Sequence, residues 1–106
     1  MTLDALAQRL RDFAAARDWE PFHTPKNLTM ALAGEVGELT ALFQWLTPAE
    51  SADWRSDETR EFNVEDEIAD VMLYLVRLAD VLGVDLLAAA NAKVDRNEKR
   101  FPPLAR

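Results

Sequence analysis

LTMALAGEVGELTALFQWL, residues 28–46, is the stretch whose reading decides the fold. Apolar residues recur at Leu28, Leu32, Val36, Leu39, Leu42, Phe43 and Leu46, the 3.6-residue period of a helix with one buried face. At about 100° per residue, Glu35 falls between Leu32 and Leu39, inside that stripe, and Glu38 lies one turn on along its edge. Two carboxylates therefore face inward. A desolvated, unpaired carboxylate costs on the order of several kcal/mol, so such a pair needs cations, hydrogen-bond donors or a metal.

The helix has a clear start. Thr24 can cap it, Pro25 is tolerated in a first turn, and the period runs to about Leu46. Gly34 and Gly37 flank Glu35, and each costs about 1 kcal/mol relative to alanine in a helix interior, so close approach of another helix or a ligand is expected there.

Outward from this stretch the chain is helical on both sides. Thr2 can cap a first helix with the stripe Leu3, Leu6, Leu10, Phe13 and Ala14, ending near residues 17–19. Between the two helices, WEPFHTPKN (19–27) holds two prolines that exclude a continuous helix. The same nine residues carry Trp19, Phe22, His23 and Asn27, an unusual density of recognition side chains for a connector, although aromatics there could simply cover one end of the core. Thr47-Pro48 begins a short helical turn, and the polar stretch through Arg60 has no sustained apolar face, so it reads as an exposed connection.

Asn63 is the expected cap of the next helix, with Glu65, Asp66 and Glu67 in its first turn. Its stripe is Val64, Ile68, Val71, Met72, Leu75, Leu78, Ala79 and Leu82, and Gly83 supplies the stop. Glu67, Asp70 and Tyr74 line one edge. The arrangement parallels the earlier helix: two acids three apart, with an aromatic seven after one of them, Glu38 to Trp45 and Glu67 to Tyr74. Asp85 can cap a last helix, closed by Pro102-Pro103. There Lys93, Asn97 and Arg100 fall on the same side as the apolar Leu86, Ala90, Val94 and Phe101, and the trio is expected to face inward as an anion site.

Composition sets the class. At 106 residues, with 49% hydrophobic residues and three glycines, one all-α domain over residues 1–106 is expected, with long helices packed as a four-helix bundle-type unit. No apolar run reaches the roughly 18 residues of a membrane span, and the start lacks a signal-peptide pattern. A cytoplasmic protein without a membrane partner is the expectation. Zero cysteines remove disulfides, thiolate metal sites and cysteine nucleophiles. A net charge of −7 argues against binding duplex nucleic acid.

Two E-x-x-[E/D] pairs on two helices, Glu35/Glu38 and Glu67/Asp70, give four hard oxygen ligands suited to Mg²⁺ or Mn²⁺. Zinc and a ferritin-like di-iron site are disfavoured, because no cysteine and no helical histidine accompanies them. Cations at Lys93 and Arg100 and flat surfaces at Trp19, Trp45 and Tyr74 would suit a nucleoside polyphosphate, with one carboxylate as general base.

The ordered strings E-V-G-E (35–38) and E-I-A-D (67–70), with R-D-W-E-P-F-H, G-E-V-G-E-L-x-x-L-F-Q-W, D-V-x-x-Y-L and K-x-D-x-N-x-x-R-F-P, resemble the all-α nucleoside triphosphate pyrophosphohydrolases, the MazG-like superfamily. Within it they are most similar to the dCTP pyrophosphatase group. That resemblance implies Mg²⁺-dependent hydrolysis of a (deoxy)nucleoside triphosphate to the monophosphate and pyrophosphate, a house-cleaning activity on the nucleotide pool. It implies metal at Glu35, Glu38, Glu67 and Asp70, nucleotide contacts from Trp19 through His23, Trp45 and Tyr74, and phosphate or sugar contacts from Lys93, Asn97 and Arg100. It also implies a homodimer or homotetramer. The chain departs from the mammalian pattern at Leu10, where those relatives carry a substrate-contacting histidine, so that contact carries over no base preference. The readings set against this one are a related enzyme acting on dUTP or phosphoribosyl-ATP, and a non-catalytic helical interaction module.

Overall fold

A computed structural model of the chain describes residues 1–105, without the side chains of Glu61 and Phe62; Arg106, the last residue of the single domain expected over 1–106, lies outside the described residues. The described residues are helical, with no strand among them. The helices are α1 (Leu3–Ala15), α2 (Pro25–Phe43), the short α3 (Pro48–Ala52), α4 (Glu58–Leu82) and α5 (Leu86–Arg100), with single 3₁₀ turns at Glu20–Phe22 and Trp54–Ser56.

Local chemistry sets most of the boundaries. Thr2 accepts from the Ala5 amide, Thr24 from Asn27, Thr47 from Glu50 and Asp85 from Ala88, each satisfying one orphan amide of a first turn. Thr47 and Glu50 form a reciprocal capping box. After α1 the chain reverses through Asp18, whose φ of 55° lies in the left-handed region that a short polar side chain tolerates. Asn27 donates its side-chain amide to the Phe22 carbonyl at 3.0 Å, which ties the 19–24 segment to the start of α2.

α4 begins six residues earlier than the Asn63 cap predicts. Asp57 caps it instead, through bonds to the Thr59 amide and hydroxyl. Asn63 and the acids at 65–67 therefore sit inside the helix rather than at its positive end. The polar 58–63 segment hides the extension because it has no apolar period to read.

α2 packs extensively on α4, and α1 packs on α4 beside it. His23, just before α2, meets Arg77, while Glu35 within α2 meets Glu67, so the two helices run antiparallel. Ala14, Leu28, Val64, Val76 and Ala79 form the buried apolar centre. Neither the inward cations of α5 nor an approach of another helix of this chain to the glycines of α2 is found among the described residues. A Cβ built on Gly34 or Gly37 meets no other atom within 4 Å, so no helix of this chain approaches them; that side of α2 opens outward. α5 has only slight contact with the rest of the chain, and Lys93 and Arg100 are exposed, not turned inward.

The result is an open molecule. Its radius of gyration is 17.1 Å, against about 13 Å for a compact chain of this length. Its accessible surface is 8257 Å², against about 6,000 Å² expected for its mass.

Gly83, at φ 68°, ends α4 and donates to the Ala79 and Asp80 carbonyls. A Cβ there would meet open space, so only backbone strain opposes one. Gly83→Ala should therefore cost about 1 kcal/mol of stability in urea unfolding. Gly34→Ala, in a helical conformation with room, should not lower it.

Candidate metal centre and adjoining cavity

Three carboxylates converge where α2 crosses α4: ligand oxygens of Glu35, Glu38 and Glu67 lie within 4.8 Å of one another. Spacing explains the convergence. Glu35 and Glu38 are three apart, on one face of α2, and the antiparallel packing brings Glu67 of α4 opposite them. Glu35 Oε2 and Glu67 Oε2 are buried and have no hydrogen-bond partner from another residue. No ion pair among the described residues involves any of the three or Asp70. For two buried anionic oxygens this is an unstable arrangement unless a proton or a cation joins them.

The titration behaviour follows. Glu67 is pushed up to about 7, first by the proton it would share with Glu35, then by partial burial and by Glu38. The same shared proton draws Glu35 down, but burial and the charges of Glu38 and Asp70 outweigh it, and the net direction is upward. The Glu35–Glu67 pair thus holds one proton between two carboxyls when no cation is present.

Beside the acids lies a cavity of about 160 Å³. Leu10 and Phe13 of α1, Trp19 and His23 of the following segment, and Asp70, Leu73, Tyr74 and Arg77 of α4 line it. Trp19 stands edge-on to Phe13, with ring centroids 5.5 Å apart, and to His23 at 6.3 Å. Asp70 belongs to both places: it lines the cavity, and its charge acts on Glu35. The acid cluster and the cavity are therefore adjoining parts of one cleft.

Of the side chains singled out from the sequence, the fold gathers Glu35, Glu38, Glu67 and Asp70 on one side of this cleft and Trp19, His23 and Tyr74 on the other. Phe22, Asn27 and Trp45 do not line the cavity. Asn27 spends its donor on the Phe22 carbonyl, and Trp45, past the end of α2, is 87% exposed. Lys93, Asn97 and Arg100 lie on the outlying α5, Arg100 against the Phe101 ring. Sequence reasoning missed Phe13 and Leu73 as cavity walls, and it missed Arg77, while Leu10 lines the cavity at the position where the family resemblance puts a substrate contact. The signal for Arg77 was present: Glu67, Asp70, Tyr74 and Arg77 stand at i, i+3, i+7 and i+10, one continuous face of α4.

Comparison with known proteins agrees with this geometry. Residues 31–103 match the MazG-like family. The chain is 45% identical over 101 residues to dCTP pyrophosphatase 1 of Rattus norvegicus and, equally, to that of Homo sapiens. Each alignment takes in 95% of this chain but 59% of the relative, so the chain spans well under two thirds of the length of these curated relatives. A crystal structure of a pyrophosphatase from Archaeoglobus fulgidus superposes with a TM-score of 0.84 at 39% identity, covering 94% of this chain and 92% of that one. An all-α fold, paired acids on antiparallel helices and a family match over most of its residues agree: this chain belongs to the MazG-like family.

Proposed function

We propose that the chain is a divalent-cation-dependent nucleoside triphosphate pyrophosphohydrolase acting on a pyrimidine deoxynucleotide such as dCTP or a modified dCTP. The observation that carries this is the pair of buried, donorless oxygens, Glu35 Oε2 and Glu67 Oε2, beside a cavity the size of one ring. The donor set fits a hard cation: oxygen ligands only, from Glu35, Glu38 and Glu67, with Asp70 three residues from Glu67 as the fourth. Mg²⁺, or Mn²⁺ in its place, would supply charge neutralisation for a polyphosphate and acidify water for attack on phosphorus.

The chain's own residues account for the rest. Glu35, Glu38 and Glu67 would hold the cation in their deprotonated form, so its binding would release the proton of the Glu35–Glu67 pair and strengthen as pH rises through about 7. A carboxylate of the cluster then serves as general base. A cavity of about 160 Å³ matches the roughly 150 Å³ that accommodates a benzene ring, which favours a pyrimidine over a bicyclic purine. Leu10, Phe13 and Leu73 give the cavity apolar walls, and Trp19 and Tyr74 would offer flat contacts to a ring. The names of the relatives, dCTP pyrophosphatase 1, support the same substrate class.

Assembly belongs to this reading. Ile68, Met72, Leu75 and Leu82 are all exposed, and with Ala79 they repeat at alternating steps of four and three, the seam of a helix that packs against another helix. Leu87, Val94 and Phe101 form a second exposed seam along α5 at steps of seven. The surplus surface, about 2,000 Å², is of the size that permanent homo-oligomers bury. A homodimer or homotetramer would cover these seams and would bring Lys93, Asn97 and Arg100 of another copy within reach of bound phosphates.

Incubation with a panel of nucleoside triphosphates and Mg²⁺ should yield monophosphate and pyrophosphate, fastest from a pyrimidine deoxynucleotide; orthophosphate as the first product would contradict the assignment. Glu38→Gln and Asp70→Asn should each lower turnover by about a hundredfold or more with the fold retained, since each removes a charge of the cluster without changing volume. In cation-free buffer the native protein keeps a proton on Glu67 that the unfolded chain loses above its ordinary 4.5, so thermal stability should fall as pH rises from about 4.5 to about 7. Glu67→Gln should flatten that fall and, unlike the parent protein, should gain no melting temperature from added Mg²⁺. Light scattering on Leu75→Glu should show a smaller species than the parent protein, and a monomeric parent would remove the assembly.

A further inference from the structure

The second buried feature of the cleft is a cation, not an acid. Arg77 is 9% exposed, the one charged residue in the buried class among the described residues. Its Nε–H donates to His23 Nδ1 at 3.0 Å, and its other arm reaches Asp80 at 3.4 Å, where Arg11 of α1 also pairs at 3.5 Å. A guanidinium can only donate, so His23 Nδ1 must be the unprotonated nitrogen of the ring. The imidazole's proton is thereby confined to Nε2, which has no acceptor among the described residues. Burial first, then the Arg77 charge, hold His23 in its neutral form.

His23 sits in the wall of the one-ring cavity, held edge-on to Trp19. The other polar groups there are the Trp19 indole N–H and, from α4, Asp70, Tyr74 and Arg77, whereas α1 contributes only Leu10 and Phe13. The charge of Asp70 acts on Glu35, and Arg77 is engaged with His23 and Asp80, so of the donors left in this wall His23 is the one whose direction another side chain fixes by a hydrogen bond among the described residues. We propose that Arg77 is a positioning residue that fixes His23 as a single tautomer, so that His23 Nε2–H serves as the donor recognising a hydrogen-bond acceptor on the ring seated in the cavity.

This rests on the cavity's being the base site of the proposed enzyme, where the family resemblance already implies a nucleotide contact from His23, and it adds Arg77 as the group that sets the polarity of that histidine. A carbonyl oxygen or bare ring nitrogen on the base edge suits a fixed N–H donor; an amino group there would meet donor against donor and be rejected. The Asp80–Arg11 pair is the anchor, keeping the guanidinium plane aligned with the imidazole from α4 and α1 at once.

The test uses the fact that His23 is the only histidine in the chain, so the imidazole ¹⁵N spectrum of the intact protein reports one residue. The parent protein should show the Nε2–H tautomer alone, and Arg77→Met a mixture of both tautomers. A mixed or Nδ1–H spectrum in the parent overturns the proposal, and this measurement needs neither the variant to fold nor the substrate to be known. In the activity assay, Arg77→Met and His23→Phe should each raise KM for the preferred triphosphate by roughly five- to tenfold, the size of one hydrogen bond, with the loss in KM and not in kcat. The double variant should lose no more than either alone; losses that multiply would mean that Arg77 acts independently of His23 and would overturn the proposal. Absence of any hydrolysis by the parent defeats the functional reading, and the spectrum still decides whether Arg77 holds His23.

Discussion

The meeting of Glu35 and Glu67 across the α2–α4 seam is the constraint on which the rest of the structure depends. In the antiparallel register Leu28 and Val64 lie toward opposite ends of that seam, on either side of the acids, and both are almost fully buried. Their burial contributes about 1.5–3 kcal/mol each and presses together two helices that their carboxylates would separate. A proton between the pair would relieve the repulsion at low pH, and the divalent cation of the proposed function would relieve it at higher pH. A seam built only for stability would carry leucine at both positions. That it carries glutamate means that part of the packing energy is held against charge repulsion, and a site that binds a cation recovers it.

Much of this was legible in the sequence because it is written in local periods. Glu35 inside the stripe of α2, its partner pair at 67 and 70, the caps at Thr2, Thr24, Thr47 and Asp85, and the stop at Gly83 all depend on residues within a few positions of one another. The segment containing Trp19 and His23 was also readable, because two prolines force a break and leave the aromatics there with nothing to do in a helix.

What the sequence hid depends on which face meets which neighbour. The stripe of α4 runs through residues on several faces; its members include buried Val64 and Ala79 and exposed Ile68, Met72 and Leu82, and periodicity alone does not divide them between α1, α2 and solvent. Arg77 escaped notice because a single arginine amid apolar neighbours resembles a snorkelling surface cation. Only the fold brings His23, 54 residues earlier, against it. The inward reading of α5 went wrong for a related reason. Its apolar residues and its cations do share a side of the helix, but among the described residues that side has only slight contact with the rest of the chain, near Leu86. Gly34 and Gly37 mark a real gap in the surface of α2, although no part of this chain enters it.

These misplacements share a cause, and it bears on how the site is completed. α4 is the central helix: α2 covers one face, α1 a second, and the seam of Ile68, Met72, Leu75 and Leu82 is left bare. Glu35, Glu38 and Glu67 stand together, with the charge of Asp70 acting on Glu35, and no ion pair among the described residues reaches them, in a molecule whose formal charge is −7. Arg77 and Arg11 cannot supply the balance, since Asp80 and His23 already occupy them. Lys93 and Arg100 sit on the helix that leaves the core, Arg100 against the Phe101 ring. A triphosphate adds further negative charge to the same cleft. For the proposed function, two sources of balancing charge are a divalent cation between the carboxylates and the α5 of another copy. The apolar seams that call for assembly and the acids that call for charge thus impose one requirement, because a partner seated on those seams would bury surface and deliver cations together.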